Sequence, residues 1–214
     1  MAKFLGLDYI TPIRISSNQR VAINETLSLK RQSLSNDAQR WELGITLAPS
    51  NNKGGTTNDA HGAKLSVHKT LNGVHKPFTM PMPQHLGLSY SPTNLNNMPA
   101  GAATSAGAVA TDSTFGRHGI VNLVPNRDGY LQAGWFIRFA NHSKVYQVLE
   151  YLELEDGTSS VLKIHPPLLS TVPSGGVIKS DPDITVYYAE DSDESVTYTN
   201  GIMVNASINV VEAV

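Results

Sequence analysis

The sequence predicts a mainly β protein: a β-sandwich-like domain with one packed helix, interrupted by a small β-barrel. Three observations lead there. Between Gly134 and Leu168, Trp135, Ile137 and Phe139 alternate with Phe136 and Arg138, and Val145, Gln147 and Leu149 alternate with Lys144, Tyr146 and Val148; this is the period-two signature of paired strands. Near the end of the chain Ile202, Val204, Ala206, Ile208 and Val210 share one face, a regularity expected of a strand in the middle of a sheet. Gly, Pro, Asn, Ser and Thr are abundant and long helical periodicities are scarce.

From the N-terminus, Pro12 to Ser17 alternates apolar and polar, Asn18-Gln19-Arg20 interrupts, and Val21 to Leu29 resumes, which predicts two short strands. A cleaner strand follows: Trp41, Leu43, Ile45 and Leu47 lie on one face with Glu42 and Thr46 on the other. Pro49 and the run from Ser50 to Thr57 end it in a polar loop.

The helix candidate covers 58–71. Asn58 can cap it, Asp59 complements the dipole in the first turn, and Ala60, Ala63, Val67 and Leu71 recur at spacings of three and four. Asn72-Gly73 supplies a C-terminal stop, while Gly62 weakens the helix by roughly 1 kcal/mol relative to alanine. The Met80-Pro81-Met82-Pro83 run must be extended, as an edge strand or an arm, because each proline fixes its own φ and disfavours helix before it.

From Ser89 to Arg117 the chain turns small and polar, with too little bulk to fold alone. It reads as a long surface loop or as an excursion ordered against a neighbouring subunit. Ile120 to Val124 forms a strand that leads through Pro125 to Gly129 into the central meander. Within the meander Asn141-His142-Ser143 and Asp156-Gly157 make the turns, and Val161, Leu162 and Ile164 open a third strand that Pro166-Pro167 stops. A closed or half-closed barrel would bury such a meander and pair its edges. Val177-Ile178 begins a short strand, Ile184 to Tyr188 alternates again, and Ile202 to Val211 closes the chain. The order suggests an insertion, with 1–124 plus 179–214 forming the sheet domain and 125–178 the inserted barrel.

Composition narrows the function classes. The 214 residues carry 16 basic and 18 acidic side chains, intermixed, for a formal charge of −2, so no basic stripe is present to grip a polyanion. Cysteine is absent, which removes disulfides, thiolate catalysis and cysteine metal sites. The opening Met1 to Pro12 has one lysine and a broken apolar run, too short for a signal core or a membrane span; synthesis and retention in a cytoplasm are the expectation.

His61, His68 and His75 recur every seven residues, about 10 Å apart along a helix axis, too far to share one ion; they read as polar histidines on a solvated helix face. Asp181, Asp183, Glu190, Asp191, Asp193 and Glu194 form an acidic stretch, but a calcium loop starting at Asp191 would need glycine and glutamate where Val196 and Ile202 stand. A solvated hairpin tip is the expectation there. His142-Ser143-Lys144 sets a hydroxyl between two bases, yet neighbours in a turn rarely converge, and His142 is expected to pack on Tyr146. No Gly-x-Ser-x-Gly, phosphate loop or dinucleotide fingerprint occurs. Trp135 and Phe139 share a strand face with Ile137 and are expected in the core; a stacking platform for a base or a sugar is the other possibility. No catalytic, cofactor-binding or metal-ligating residue is therefore assigned, and no cofactor is expected.

One stretch carries a family resemblance. Gly134, Ile137, His142, Lys144, Val145, Tyr146 and Val148, followed by an aliphatic strand through Ile164 that ends in Pro166-Pro167-Leu168, resemble the inserted barrel of the distal tail (Dit-like) proteins of long-tailed bacteriophages. Trp41 to Met82 echoes the strand, helix, strand order of that family's N-terminal domain, and the loop from Ser89 to Arg117 departs from it. The resemblance implies an OB-like barrel inserted in a strand-rich domain with one helix, and a structural, non-enzymatic virion protein of the phage tail or baseplate, assembled in the host cytoplasm. It further implies a homo-oligomeric ring, six-fold, that continues the tail tube, contacts the hub and peripheral tail proteins, involves no membrane and meets DNA only in passage through the lumen. A near-neutral charge is compatible with such a lumen. The loop 99–110 and the arm from Met80 to Pro83 are the stretches expected to lie against a neighbour. The competing expectation, from a different class, is a β-barrel module that binds an oligosaccharide or a nucleic-acid single strand.

Overall fold

The protein is described from a computed structural model, covering residues 3–5, 7–25, 31–49, 61–73, 75–82, 107–108, 121–123, 133–153, 160–179, 182–189, 196–199 and 202–214. In chain order the elements are β1 (Lys3–Phe4), β2 (Leu7–Glu25), β3 (Arg31–Leu47), α1 (His61–Asn72), β4 (Phe78–Pro81), β5 (Gly107–Ala108), β6 (Val121–Leu123), β7 (Phe136–Phe139), β8 (Val145–Glu153), β9 (Ser160–His165), β10 (Val177–Lys179), β11 (Asp183–Tyr188), β12 (Val196–Thr199) and β13 (Ile202–Glu212). The fold is mainly β, with two antiparallel sheets and a single short helix among the described residues. The chain forms two compact units, one of Met1–Ser35, Gln39–Pro83 and Ile184–Val214, the other of Asn36–Ala38 and Gln84–Asp183.

The first unit holds a sheet in the order β1-β2-β3-β13-β11-β4, with β12 also paired to β13. β13 runs between β3 and β11, with Ile208 opposite Ile45 and Tyr187 opposite Val211, so the most regular apolar strand does lie inside the sheet. Alternation fixes the buried face: Trp41, Leu43, Ile45 and Leu47 of β3, Ala206, Ile208 and Val210 of β13, and Ile184, Val186 and Tyr188 of β11 are all buried. At a buried end of this face the Glu212 carboxylate accepts a hydrogen bond from the Trp41 backbone N–H at 3.2 Å.

Several elements differ from expectation. The two short N-terminal strands are one strand, β2, and the interruption at Asn18-Gln19-Arg20 is a register shift between Gln19 and Val21. Pro12 falls in a second shift, between Ile10 and Arg14, where a missing N–H costs no ladder bond. β3 begins at Arg31, ten positions before the apolar alternation starts, because its polar first half is held by backbone pairing with β2 from Gln32 opposite Asn24 to Ser35 opposite Val21.

The helix ends at Asn72, one position past the expected Leu71, and Gly73 follows at a φ of 53°. Asn58, Asp59 and Ala60 lie outside the described residues. The buried face, however, is not the expected one: Leu65 is buried, whereas Val67 and Leu71 are 56% and 69% exposed. β4 is the edge strand that its proline requires. Met80 and Met82 are buried, and Pro83 lies outside the described residues.

The second unit holds a sheet in the order β5-β10-β7-β8-β9-β6. The meander β7-β8-β9 forms its centre, with Ile137 opposite Tyr146 and Val148 opposite Ile164. Ile137, Phe139, Tyr146, Val148, Leu162, Ile164, Leu168, Val172 and Ile178 make its core, with Tyr151 packed against it. A register shift after Val148 leaves Leu149 53% exposed and returns Tyr151 to the core side.

The boundary of this unit lies upstream of position 125. Val121–Leu123 pairs with Ser160, Val161 and Leu162, and Gly107–Ala108 pairs with Val177 and Ile178, so both belong to this sheet. Val121–Leu123 falls in the strand expected over Ile120 to Val124, whereas Gly107–Ala108 is recruited by backbone pairing alone, with neither the length nor the periodicity to announce it.

Candidate functional site

A polar cluster of the second unit is built on the turn between β7 and β8. Gly134 and Trp135 extend the β7–β8 ladder through bonds of 2.7 Å with Val148, so the hairpin is held firmly at that end. At the other end Asn141, His142, Ser143 and Lys144 reverse the chain, and Lys144 is buried.

His142 stands four positions before Tyr146, and the reversal brings their rings edge to face at 5.5 Å. The Tyr146 O–H donates to His142 Nε2 at 2.8 Å. The Nδ1–H of the same ring donates to Asn141 Oδ1 at 2.9 Å, and Asn141 Nδ2 donates to the Thr171 carbonyl at 2.9 Å. The Leu169 backbone N–H donates to the Tyr146 hydroxyl oxygen at 3.0 Å. Asn141 thus fixes the tautomer, because its amide nitrogen is already engaged and its oxygen can only accept. Phe139, at 5.7 Å from the His142 ring and 5.5 Å from Tyr146, closes the apolar side.

Burial, followed by the Arg138 cation nearby, holds the His142 pKa below its ordinary value, so the ring is neutral at pH 7. Ser170 Oγ lies 3.2 Å from Nδ1. That nitrogen carries the proton, so in this tautomer the ring takes no proton from Ser170; the cluster orients and cross-links.

A second histidine–tyrosine pair occurs in the first unit. His68 stacks edge-on against Phe78, with ring centroids 4.7 Å apart. Asn72 Nδ2 donates to its Nε2 at 2.9 Å, which leaves the proton on Nδ1, donated to the Tyr188 hydroxyl at 2.9 Å. Burial lowers the His68 pKa as well. This corrects the reading of His68 as a histidine on a solvated face: the helix turns Leu65, His68 and Asn72, at spacings of three and four, away from the exposed Val67 and Leu71. His75 is exposed beyond the helix, and the His61 side chain lies outside the described residues.

Trp135 also departs from expectation. It precedes β7 and is only half-buried, whereas Phe136, Ile137 and Phe139 are fully buried, so the tryptophan sits at the margin of the core. The two buried aromatic rings of β7 lie on opposite faces of a strand covered on both sides. Of the acidic stretch, Asp183 is exposed at the start of β11; Asp181, Glu190, Asp191, Asp193 and Glu194 lie outside the described residues.

Among the described residues no group of three or more His, Cys, Asp or Glu is placed to hold a metal ion, and no helix is long and apolar enough to cross a membrane. Leu169, Ser170 and Thr171, which bond Tyr146, His142 and Asn141 respectively, are not legible as partners of the turn because they follow the Pro166-Pro167 stop, far along the chain. The signal that could have found them is the stop itself, which turns the chain back over the end of the sheet it leaves. Compared with protein-family models and with curated proteins, the chain matches none.

Proposed function

We propose that this chain is a structural virion protein of a long-tailed bacteriophage, a distal tail or baseplate component working as a homo-oligomeric ring that joins the tail tube to the hub and to peripheral tail proteins. The observation that carries the reading is the meander β7-β8-β9, which coincides with the stretch that resembles the Dit-like barrel: Ile137, Tyr146, Val148, Ile164 and Leu168 of the resemblance are core residues, and His142 is bonded to Tyr146. A first unit made of N-terminal strands, one helix and a closing C-terminal strand accords with it. In this reading the second unit is a closed OB-like barrel projecting from the ring, the ring is six-fold, and DNA passes through the lumen without being retained. The stretches proposed to lie against a neighbour are the arm from Met80 to Pro83 and the loop 99–110, apart from Gly107–Ala108, which pairs with β10.

Native mass spectrometry of the purified protein at high concentration, and of the protein released from purified particles, tests the proposal. A six-fold mass is expected. A monomer in the particle, or a particle without this chain, overturns it.

A second reading, a module that holds an oligosaccharide or a nucleic-acid single strand, is favoured by the half-buried Trp135, whose position at the core margin suits a stacking platform.

A further inference from the structure

We propose that His142 is an acid-sensitive latch: its protonation releases the Leu169 amide from the Tyr146 hydroxyl beside the β7–β8 turn. The inference stands on the geometry of the cluster and is independent of the functional reading above.

In the neutral state the donors run in one direction. Leu169 N–H donates to Tyr146 Oη, Tyr146 O–H donates to His142 Nε2, and His142 Nδ1–H donates to Asn141 Oδ1. Only the neutral ring can close this sequence, since it needs one nitrogen that accepts and one that donates. A proton arriving at Nε2 converts that acceptor into a donor facing the Tyr146 O–H across 2.8 Å. The Tyr146 oxygen must then accept from Nε2–H while its own hydrogen turns out of that line, so that two N–H donors and the displaced hydrogen compete around one oxygen and the Leu169 bond weakens.

The charged and titratable groups facing the ring reinforce the response. Arg138 of β7 is a cation that opposes a second positive charge, and Tyr146 of β8 is the hydrogen-bond partner itself. The 169–171 stretch presents the Ser170 hydroxyl, the Thr171 carbonyl and no charge. No carboxylate among these groups compensates an imidazolium.

The strands of the sheet do not depend on this bond, because β7, β8 and β9 are joined by their own ladders. The released part is therefore the Leu169 amide alone, held between the buried Leu168 and the Asn141–Thr171 bond, which does not involve Nε2.

The test uses the full-length protein and amide hydrogen exchange read by NMR, with the His142 ring titration followed in the same sample. The Leu169 amide, corrected for its intrinsic exchange, is expected to lose about tenfold in protection from pH 7.5 to pH 5, with the midpoint of the His142 ring. In His142→Gln, which keeps an acceptor for Tyr146 but does not titrate, protection should be equal at both pH values. Constant Leu169 protection while the His142 ring titrates overturns the proposal, as does an equal loss in His142→Gln. Should that variant fail to fold, the wild-type midpoints decide: a Leu169 transition that follows His68, in the other unit, or no histidine, overturns it.

Discussion

His68 Nδ1 and the Tyr188 hydroxyl meet at 2.9 Å although 120 positions separate them in the chain, and this bond ties the one helix to β11. Leu65 provides the apolar half of the attachment and Phe78 the stacking surface. Replacing His68 with alanine removes the hydrogen bond and the edge-on contact together, with an expected loss of about 1 to 2 kcal/mol in urea unfolding. A variant as stable as the wild type would mean that the helix is held by Leu65 alone.

The same residue gives a pH dependence with a definite sign. Burial lowers the folded-state pKa of His68 below its ordinary 6.5, so below that value the unfolded chain binds more protons. The stabilisation is complete above about pH 6.5 and is lost as pH falls through the folded-state value. The stability difference between wild type and His68→Gln should therefore shrink on acidification from pH 7.5 to pH 5. A difference that stays constant, or grows, contradicts the assignment of His68 as a part-buried neutral ring.

The helix register is tested by three exposed or buried leucine and valine positions. Val67→Lys and Leu71→Lys should each change stability by no more than about 0.5 kcal/mol, whereas Leu65→Ala should cost about 2 to 5 kcal/mol. The reverse ranking would restore the face that spacing alone suggests. It would also require the helix to rotate away from Tyr188 and Phe78.

That register shows where the sequence stops being informative. Ala60, Ala63, Val67 and Leu71 outnumber Leu65 as an apolar stripe, so periodicity favours them. Tertiary partners reverse the choice, because a helix face carrying Leu65, His68 and Asn72 satisfies an apolar contact and two hydrogen bonds at once. Strands with strict alternation, such as Trp41 to Leu47 and Ile184 to Tyr188, were legible because their own side chains define the buried face. Arg31 to Arg40 was not, since its strand state is imposed by β2 through backbone bonds that leave no mark on residue type. Likewise the His142–Tyr146 half of the cluster follows from four-residue proximity across a turn, while the Leu169 N–H comes from a segment that only folding brings near.

Trp135 and Phe139 separate the structural and binding readings of β7. Phe139, fully buried, should cost about 3 to 5 kcal/mol when replaced with alanine; half-buried Trp135 should cost less than about 3 kcal/mol. Thermal melts of both variants give the ranking. An unchanged melt for Trp135→Ala, accompanied by lost affinity for an oligosaccharide or an oligonucleotide, would favour the binding module over the tail ring.

The extent of the second unit leads to the last prediction. β6 covers the outer edge of β9, with Val121 opposite Leu162, and β5 covers β10, with Gly107 opposite Ile178. A fragment of 125–178 lacks both covering strands, so it exposes two unpaired edges beside the buried Leu162 and Ile178. A fragment of 84–183 retains them together with the whole core from Ile137 to Ile178. The longer fragment should be soluble and melt in one cooperative transition, and the shorter one should aggregate or melt without a transition. Calorimetry and exclusion chromatography distinguish the cases. If 125–178 folds as cooperatively as 84–183, the edge strands are dispensable and the unit is the smaller one that sequence spacing suggests. If neither folds while the full chain does, the second unit draws essential stability from the rest of the molecule.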